Sequence, residues 1–144
     1  MSLVSSVNRK VRISFGEISL LEDGLVYAKA FQNTEMSLEM AKELCAAVCY
    51  ITEERPHSSV IDISGLTYVA KDAREWLRDT TNQMGVTVSV ALITNSFASK
   101  AIANLVLKMS RPSYPMRIFD NLDSAELWAL KNYTTYMACQ ELIG

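Results

Sequence analysis

Charged and hydroxyl side chains gather in one stretch of the sequence, IDISGLTYVAKDAREW. Asp62 and Ser64 end an apolar segment, where a carboxylate and a hydroxyl at the end of a strand can contact a ligand or partner. A set of charged residues follows within a dozen positions and would form a recognition edge at a helix start: Lys71, Asp72, Arg74 and Glu75.

Each of these groups also has a purely structural interpretation. Asp62 and Ser64 are residue types that hydrogen-bond to the amides of a following turn. The charged set is equally typical of a solvated helix face, with Lys71 paired to Glu75 one turn later. The residues alone leave both interpretations open.

Catalytic and metal chemistry has little support from residue types. His57 is the only histidine, and it follows Pro56 in what we predict to be a loop before a strand. Cys45 and Cys49 are four residues apart on a predicted helix, without a second pair of ligands to complete a tetrahedral site. We therefore expect free thiols, no metal, no cofactor and no enzymatic activity, with an unrecognised enzyme as the remaining alternative.

Two further polar groups are candidates for binding an anion. The first lies between a predicted strand and a helix start, where free amides suit an anion but a serine or asparagine cap is the ordinary explanation. Its members are Thr94, Asn95, Ser96, Ser99 and Lys100. The second is a basic group that suits a phosphate or simply the negative end of a helix, and it contains Lys108, Arg111 and Arg117.

Length and composition indicate one globular domain over residues 1–144, with residues 133–144 as a C-terminal helical extension. Hydrophobic residues make up 49% of the 144 and charged residues 21%, near the averages for folded domains. The net charge of −2 argues against nucleic acid as a partner. We find no apolar stretch of transmembrane length and no signal peptide, and we expect a cytoplasmic protein.

Hydrophobic periodicity predicts the elements that position these residues. Alternating apolar residues predict strands, and Asp23-Gly24 is typical of a hairpin turn. The predicted strands are Val11 to Phe15, Ile18 to Leu21, Leu25 to Phe31, Ser59 to Ile63, Val86 to Ile93 and Met116 to Phe119. The predicted helices are Ser37 to Glu54, Ala70 to Gln83, Phe97 to Met109 and a last helix near Asp123.

The last helix has a clear predicted start. Asp123 is the expected N-cap, and Glu126 three residues later would complete a capping box. Leu122 and Leu127 would pack together as a hydrophobic staple.

The predicted fold class is α/β. Counting the N-terminal segments as one β-hairpin gives a mixed central sheet of about five strands with four helices, in the order β-β-α-β-α-β-α-β-α. Val60 to Ile63 should form a strand that is buried on both faces of this sheet.

The motif IDISGLTYVAKDA, within this element order, resembles STAS domains, the type found in sulfate transporters and anti-sigma-factor antagonists. Asp62, Ile63 and Ser64 match the strand end of that family, and Gly65 to Val69 match its loop. The resemblance implies a STAS-like fold and a partner surface at the second helix. A closer likeness, which includes the segment from Lys108 to Leu130, is to small stand-alone bacterial proteins of this fold with uncharacterised function.

One departure from the family limits what the resemblance implies. STAS switch proteins carry Asp-Ser-Ser-Gly at the start of the second helix, whereas this chain has Ala70-Lys71-Asp72-Ala73. The implied function is a non-catalytic, cytoplasmic protein-interaction or regulatory module that lacks the phosphorylatable serine. Its protein partner is not identified by the residues.

Two other expectations follow from the apolar residues. Seven methionines and 8% aromatic residues favour, as the alternative function, a small protein that binds an apolar, lipid-like ligand. The apolar stretch from Tyr133 to Ile143 would either cover the sheet or pair two subunits as a homodimer.

Overall fold

The computed structural model describes residues 9–110 and 112–143, without the side chains of residues 109 and 110. It contains eight strands and four helices in these residues. The strands are β1 (Arg9–Ile13), β2 (Gly16–Glu22), β3 (Leu25–Ala30), β4 (Thr34–Met36), β5 (His57–Asp62), β6 (Leu66–Val69), β7 (Thr87–Ile93) and β8 (Met116–Phe119). The helices are α1 (Leu38–Thr52), α2 (Lys71–Met84), α3 (Phe97–Ser110) and α4 (Leu122–Ile143).

The main sheet is mixed and has six strands in the order β1-β2-β3-β5-β7-β8. β1, β2 and β3 form an antiparallel meander, and the strands from β3 to β8 are parallel. The α/β class and the mixed sheet are confirmed. The main sheet has six strands where about five were predicted, because the segments before and after the turn at Ser14–Phe15 pair as two separate strands, β1 and β2.

A second, two-stranded parallel sheet pairs β4 with β6. The sequence prediction assigned Gly65 to Val69 to a loop, and this is wrong for most of that segment. The N–H of Thr34 donates to the carbonyl of Gly65 (2.9 Å), and the N–H of Ala70 donates to Met36 (2.9 Å). These bonds hold the segment before α2 in an extended conformation.

Helices cover both faces of the main sheet. α4 packs across β5 and β7 on one face, while α1, α2 and α3 lie on the other. Successive residues of a strand point to opposite faces, so Val60 lies under α4 while Ile61 and Ile63 face α1 and α2. The predicted strand is present, although it ends at Asp62, one residue before Ile63. Val60 is fully buried and Ile63 nearly so, whereas Ile61 is half-buried.

The Asp23-Gly24 turn joins β2 to β3, as the sequence predicts. Gly24 has φ +81°, a conformation that a residue without Cβ adopts readily. Any Cβ at Gly24 would overlap the ring of Tyr133 on α4. The turn and the middle of α4 are therefore in close contact.

The start of α4 differs from the sequence prediction. Asn121 Oδ1, not Asp123, accepts the first-turn N–H of Ser124 (2.9 Å), so Asn121 is the N-cap. Glu126 is buried (5% exposed) and Leu127 is 71% exposed, which leaves Leu127 unable to pack as a staple. The helix runs without a break to Ile143, so the predicted extension is its second half.

Candidate functional site

A cavity of about 190 Å³ lies between the main sheet and the helices on the face opposite α4. Its floor comes from β3, β5 and β7, and its walls come from α1, α2 and α3. We call this space the sheet–helix cavity. Apolar side chains dominate its lining, among them Val26, Ala28, Leu44, Val48, Ile61, Leu77, Val90, Leu92, Ile102 and Val106.

His57 lies at the amino end of the cavity floor. It is the first residue of β5 and shares its face of the strand with Ser59 and Ile61, which also line the cavity. The side chain is only 4% exposed, and burial lowers its pKa below the ordinary 6.5. The imidazole is therefore neutral near pH 7.

The tautomer of His57 follows from one contact. Nδ1 lies 2.9 Å from the carbonyl oxygen of Arg55. A carbonyl only accepts hydrogen bonds, so Nδ1 carries the proton and Nε2 is left as an acceptor. Nε2 has no hydrogen-bond partner among the described residues. His57 is itself one of the residues that line the sheet–helix cavity.

Other polar groups on the cavity wall are mostly bonded to the protein. Thr52 donates to the carbonyl of Val48 (2.7 Å), and Thr81 donates to that of Leu77 (2.7 Å). The Thr81 hydroxyl also lies 3.1 Å from that of Tyr114, whose pKa burial raises. These groups stay neutral and add few open hydrogen-bonding positions.

Cys45 and Cys49 line the same cavity from α1. Burial raises the pKa of Cys45 to about 11, and the adjacent thiol of Cys49 adds to the effect. Both cysteines are free, and no group of three or more histidine, cysteine or carboxylate side chains occurs within 9–110 and 112–143. In this part of the chain the thiol pair thus has no third ligand with which to hold a metal ion.

Two arginines reach the cavity from α2. Arg78 Nε donates to Asp79 (2.9 Å), and both side chains are substantially exposed. Arg74 is half-buried and has an interaction of its own. The arginine of the predicted recognition edge is thus part of the cavity wall.

Asp62 and Ser64 interact in a turn, which is the structural alternative that the sequence left open for them. Asp62 Oδ1 accepts the N–H of Ser64 (2.9 Å), which forms a turn after β5. Asp62 belongs to the face of β5 that α4 covers, and its charge helps burial raise the pKa of Tyr27 to about 12. The Ser64 hydroxyl is buried without a hydrogen-bond partner among the described residues.

Lys71, Asp72 and Glu75 lie on the solvent side of α2. All three are exposed, and Lys71 Nζ is 3.8 Å from Glu75 Oε1. Ala70 provides no side-chain cap for the helix. The structure therefore divides the six predicted residues among a turn, the cavity wall and an exposed helix start.

The candidate anion site before α3 is filled by its own hydroxyls. The N–H groups of Asn95 and Ser96 donate to Ser99 Oγ (3.3 and 3.1 Å), and the N–H of Ser99 donates to Ser96 Oγ (3.1 Å). These amides are therefore engaged in ordinary capping. Of the basic group, Arg117 lies over the Phe119 ring (5.3 Å), and Arg111 lies outside the described residues.

Sequence reasoning missed the cavity and its polar end. It placed His57 in a loop, whereas the strand begins two residues earlier than predicted. The signal that was available is the alternation of His57, Ser59, Ile61 and Ile63, which assigns two polar residues to the same face as two apolar ones. Nothing in the spacing indicates that α1 and α2 leave space above that face.

The fold defines the class of protein. A protein of the DUF3478 family from Shewanella loihica PV-4, described as uncharacterized and as having a SpoIIAA-like fold, matches with a TM-score of 0.55. The two are 14% identical over 84% of this chain and 90% of that one. This chain therefore has the SpoIIAA-like, STAS-type fold that the sequence resemblance implied.

The family follows from the sequence. Residues 19–134 match the domain of unknown function DUF7793, and the chain belongs to that family. No curated protein matches the sequence. Among the described residues, none of the helices has the length and apolar character needed to cross a bilayer.

Proposed function

We propose that this protein is a non-catalytic binding module that holds a small, largely apolar ligand between its sheet and the helices α1 and α2. The observation that carries the proposal is the sheet–helix cavity, with its apolar lining and its volume of about 190 Å³. A filled layer of side chains is the usual result of packing a helix on a sheet, because interiors are close-packed. An open apolar space of this size is costly to keep empty.

The size of the cavity favours a compact ligand. Apolar cavities of roughly 150 Å³ stay dry and take up benzene, so this one has room for a single ring with a small substituent. The nucleophiles on its wall support binding over catalysis. A thiol with a pKa near 11 remains protonated at neutral pH and is a poor nucleophile.

Thermal unfolding in the presence of single-ring compounds tests the proposal. We expect toluene and phenol to raise Tm in a concentration-dependent way, because a ligand that binds only the folded state stabilises it by mass action. The substitution Cys45→Leu places a larger side chain into the cavity and should abolish the shift.

Cys139→Leu is the matched control for that substitution. Cys139 is exposed on α4, far from the residues that line the cavity, so this variant should keep the full shift. Equal Tm shifts in the two variants, or no shift with any compound in the native protein, would overturn the proposal.

Protein interaction through the start of α2 is a second candidate function. It is supported by the exposure of Lys71, Asp72 and Glu75 and by the STAS-type fold, and it needs no phosphorylatable serine. Charge reversal with Lys71→Glu and Asp72→Lys should eliminate recovery of a specific partner from lysate, while Lys131→Glu on α4 should not. The free cysteines support the cytoplasm as the compartment of either function.

A further inference from the structure

We infer that the ligand of the sheet–helix cavity is a neutral ring compound with one O–H or N–H group, and that this group donates a hydrogen bond to Nε2 of His57. The inference rests on the proposed function and adds to it the chemical class of the ligand. Phenols and indoles belong to this class, whereas carboxylates and long acyl chains do not.

Charge on the cavity wall is the first argument. His57 is neutral, and Cys45 keeps its proton. The two cationic groups on the wall, Arg74 and Arg78, already have interactions with other groups. An ionised ligand would lose its hydration in a space lined mainly by apolar side chains, and such a loss is expensive.

The second argument is an acceptor in a fixed position at the amino end of the cavity. Nδ1 of His57 is held by the Arg55 carbonyl at 2.9 Å, which fixes the ring and leaves the Nε2 lone pair available. Residues on the same strand face, Ser59 and Ile61, line the cavity. A ligand donor at this end would satisfy an acceptor that has no partner among the described residues.

His57 also lines a second space of about 380 Å³, beside the Asp23-Gly24 turn and the second half of α4. Thr52 borders both spaces as well. Ser59, two residues further along β5, lines the sheet–helix cavity and is not among the residues of the second space. For this reason we assign the acceptor to that cavity, and the spectroscopic test below checks the assignment directly.

Phenol and toluene provide the test, because they have nearly the same shape and differ in one donor. We would measure both dissociation constants by titration calorimetry for the native protein, for His57→Asn and for His57→Gln. The asparagine amide can keep the bond to Arg55 but has no atom at the Nε2 position, whereas glutamine places an amide there. The preference for phenol over toluene should fall about fivefold or more in His57→Asn, the range expected for one hydrogen bond, and recover in His57→Gln.

Nitrogen NMR of the untagged native protein supplies a second measurement that needs no variant. The chain has one histidine, so its two imidazole ¹⁵N signals are unambiguous. Phenol should shift the Nε2 signal and leave the Nδ1 signal nearly unchanged, and toluene at equal occupancy should shift neither strongly.

The possible failures are distinguishable. If both compounds bind, with an unchanged Nε2 signal and the same preference in all three proteins, the inference is wrong and the proposed function stands. If octanoate binds more tightly than phenol, the inferred class is wrong. If no compound binds the native protein, both the inference and the proposed function fail.

Discussion

His57 illustrates what residue-level reasoning can and cannot predict. Its identity and its place beside an apolar strand are visible in the sequence, and so is the absence of a second histidine. Its burial, its tautomer and its place on the cavity wall depend on where α1 and α2 lie above the strand. Asp62 is the opposite case, because a bond to the amide two residues later is local and was one of the interpretations drawn from the sequence.

Acid sensitivity is expected from the same residue. The folded state lowers the pKa of His57 below 6.5, so the unfolded chain binds more protons as the pH falls through this value. The contribution of His57 to the free energy of unfolding should therefore be complete at about pH 7 and fall as the pH drops below 6.5. Urea unfolding at half-unit intervals measures this slope.

The control for that slope is His57→Gln, which cannot titrate. Its stability should be flat across the same interval, where carboxylates are still ionised. Parallel curves for the two proteins would show that another group is responsible.

The three cysteines should differ in reactivity. A pKa of about 11 for Cys45, instead of 9, leaves roughly 100-fold less thiolate at pH 8, whereas Cys139 is exposed. Peptide mass spectrometry after timed exposure to iodoacetamide should find Cys139 modified first and Cys45 last. In urea all three should react at similar rates, and early modification of Cys45 in the folded protein would contradict the burial that we describe.

At the scale of elements, the sequence predicted those features that depend on hydrogen bonds between residues close together in the chain. The predicted start of the first helix at Ser37 and the predicted Asp23-Gly24 turn depend on residues within a few positions of each other. Both are present, and Ser37 Oγ accepts the N–H of Met40 (3.2 Å). The pairing of β4 with β6 joins segments about 30 residues apart, and neither is long enough to show a period of two. The misassigned cap of α4 has a different cause, since Asn121 and Asp123 are both good caps and tertiary packing buries Glu126.

Two glycines with similar backbone angles allow the cost of backbone strain to be distinguished from the cost of a steric clash. Gly24 (φ +81°) faces the ring of Tyr133, while a Cβ at Gly85 (φ +67°) would meet nothing within 4 Å. Gly85→Ala should cost about 1 kcal/mol, the strain of a left-handed alanine. Gly24→Ala should cost clearly more in chemical denaturation, because the ring must also move.

A double variant tests the origin of that additional cost. Adding Tyr133→Ala to Gly24→Ala should remove the extra destabilisation, since the two changes would be strongly coupled. Simple additivity would show that the turn and α4 are not in the contact described.

At the scale of the molecule, the sequence predicted the class of fold but not how closely each face is packed. Element order and the buried strand are sufficient to indicate a mixed sheet with helices on both faces. The small residues Ala125 and Ala129 bring α4 close to β7 on one face, whereas the other face retains the cavity. That difference arises from many side-chain volumes together, and no single motif encodes it.

The two faces should respond oppositely to added volume. Ala129 is fully buried under α4, so Ala129→Leu should destabilise the protein by about 1–3 kcal/mol through overpacking. Cys45→Leu places added volume into open space and should be neutral or stabilising by up to about 1 kcal/mol. The midpoints of urea unfolding, at an unchanged m-value, compare the stabilities of the two variants. An equal loss of stability in both would mean that the cavity closes in solution.

Amide exchange at the C-terminal end of α4 can be used to measure self-association. Every residue from Met137 to Ile143 is exposed, and Leu142 is 88% exposed. Helical turns that bury nothing open readily, so the backbone amides there should exchange with deuterium within seconds while those beside Ala129 persist. If two copies pair through this apolar end, amide exchange there will slow as the protein concentration rises. The concentration at which the exchange rate falls to half will report the dissociation constant of the pair.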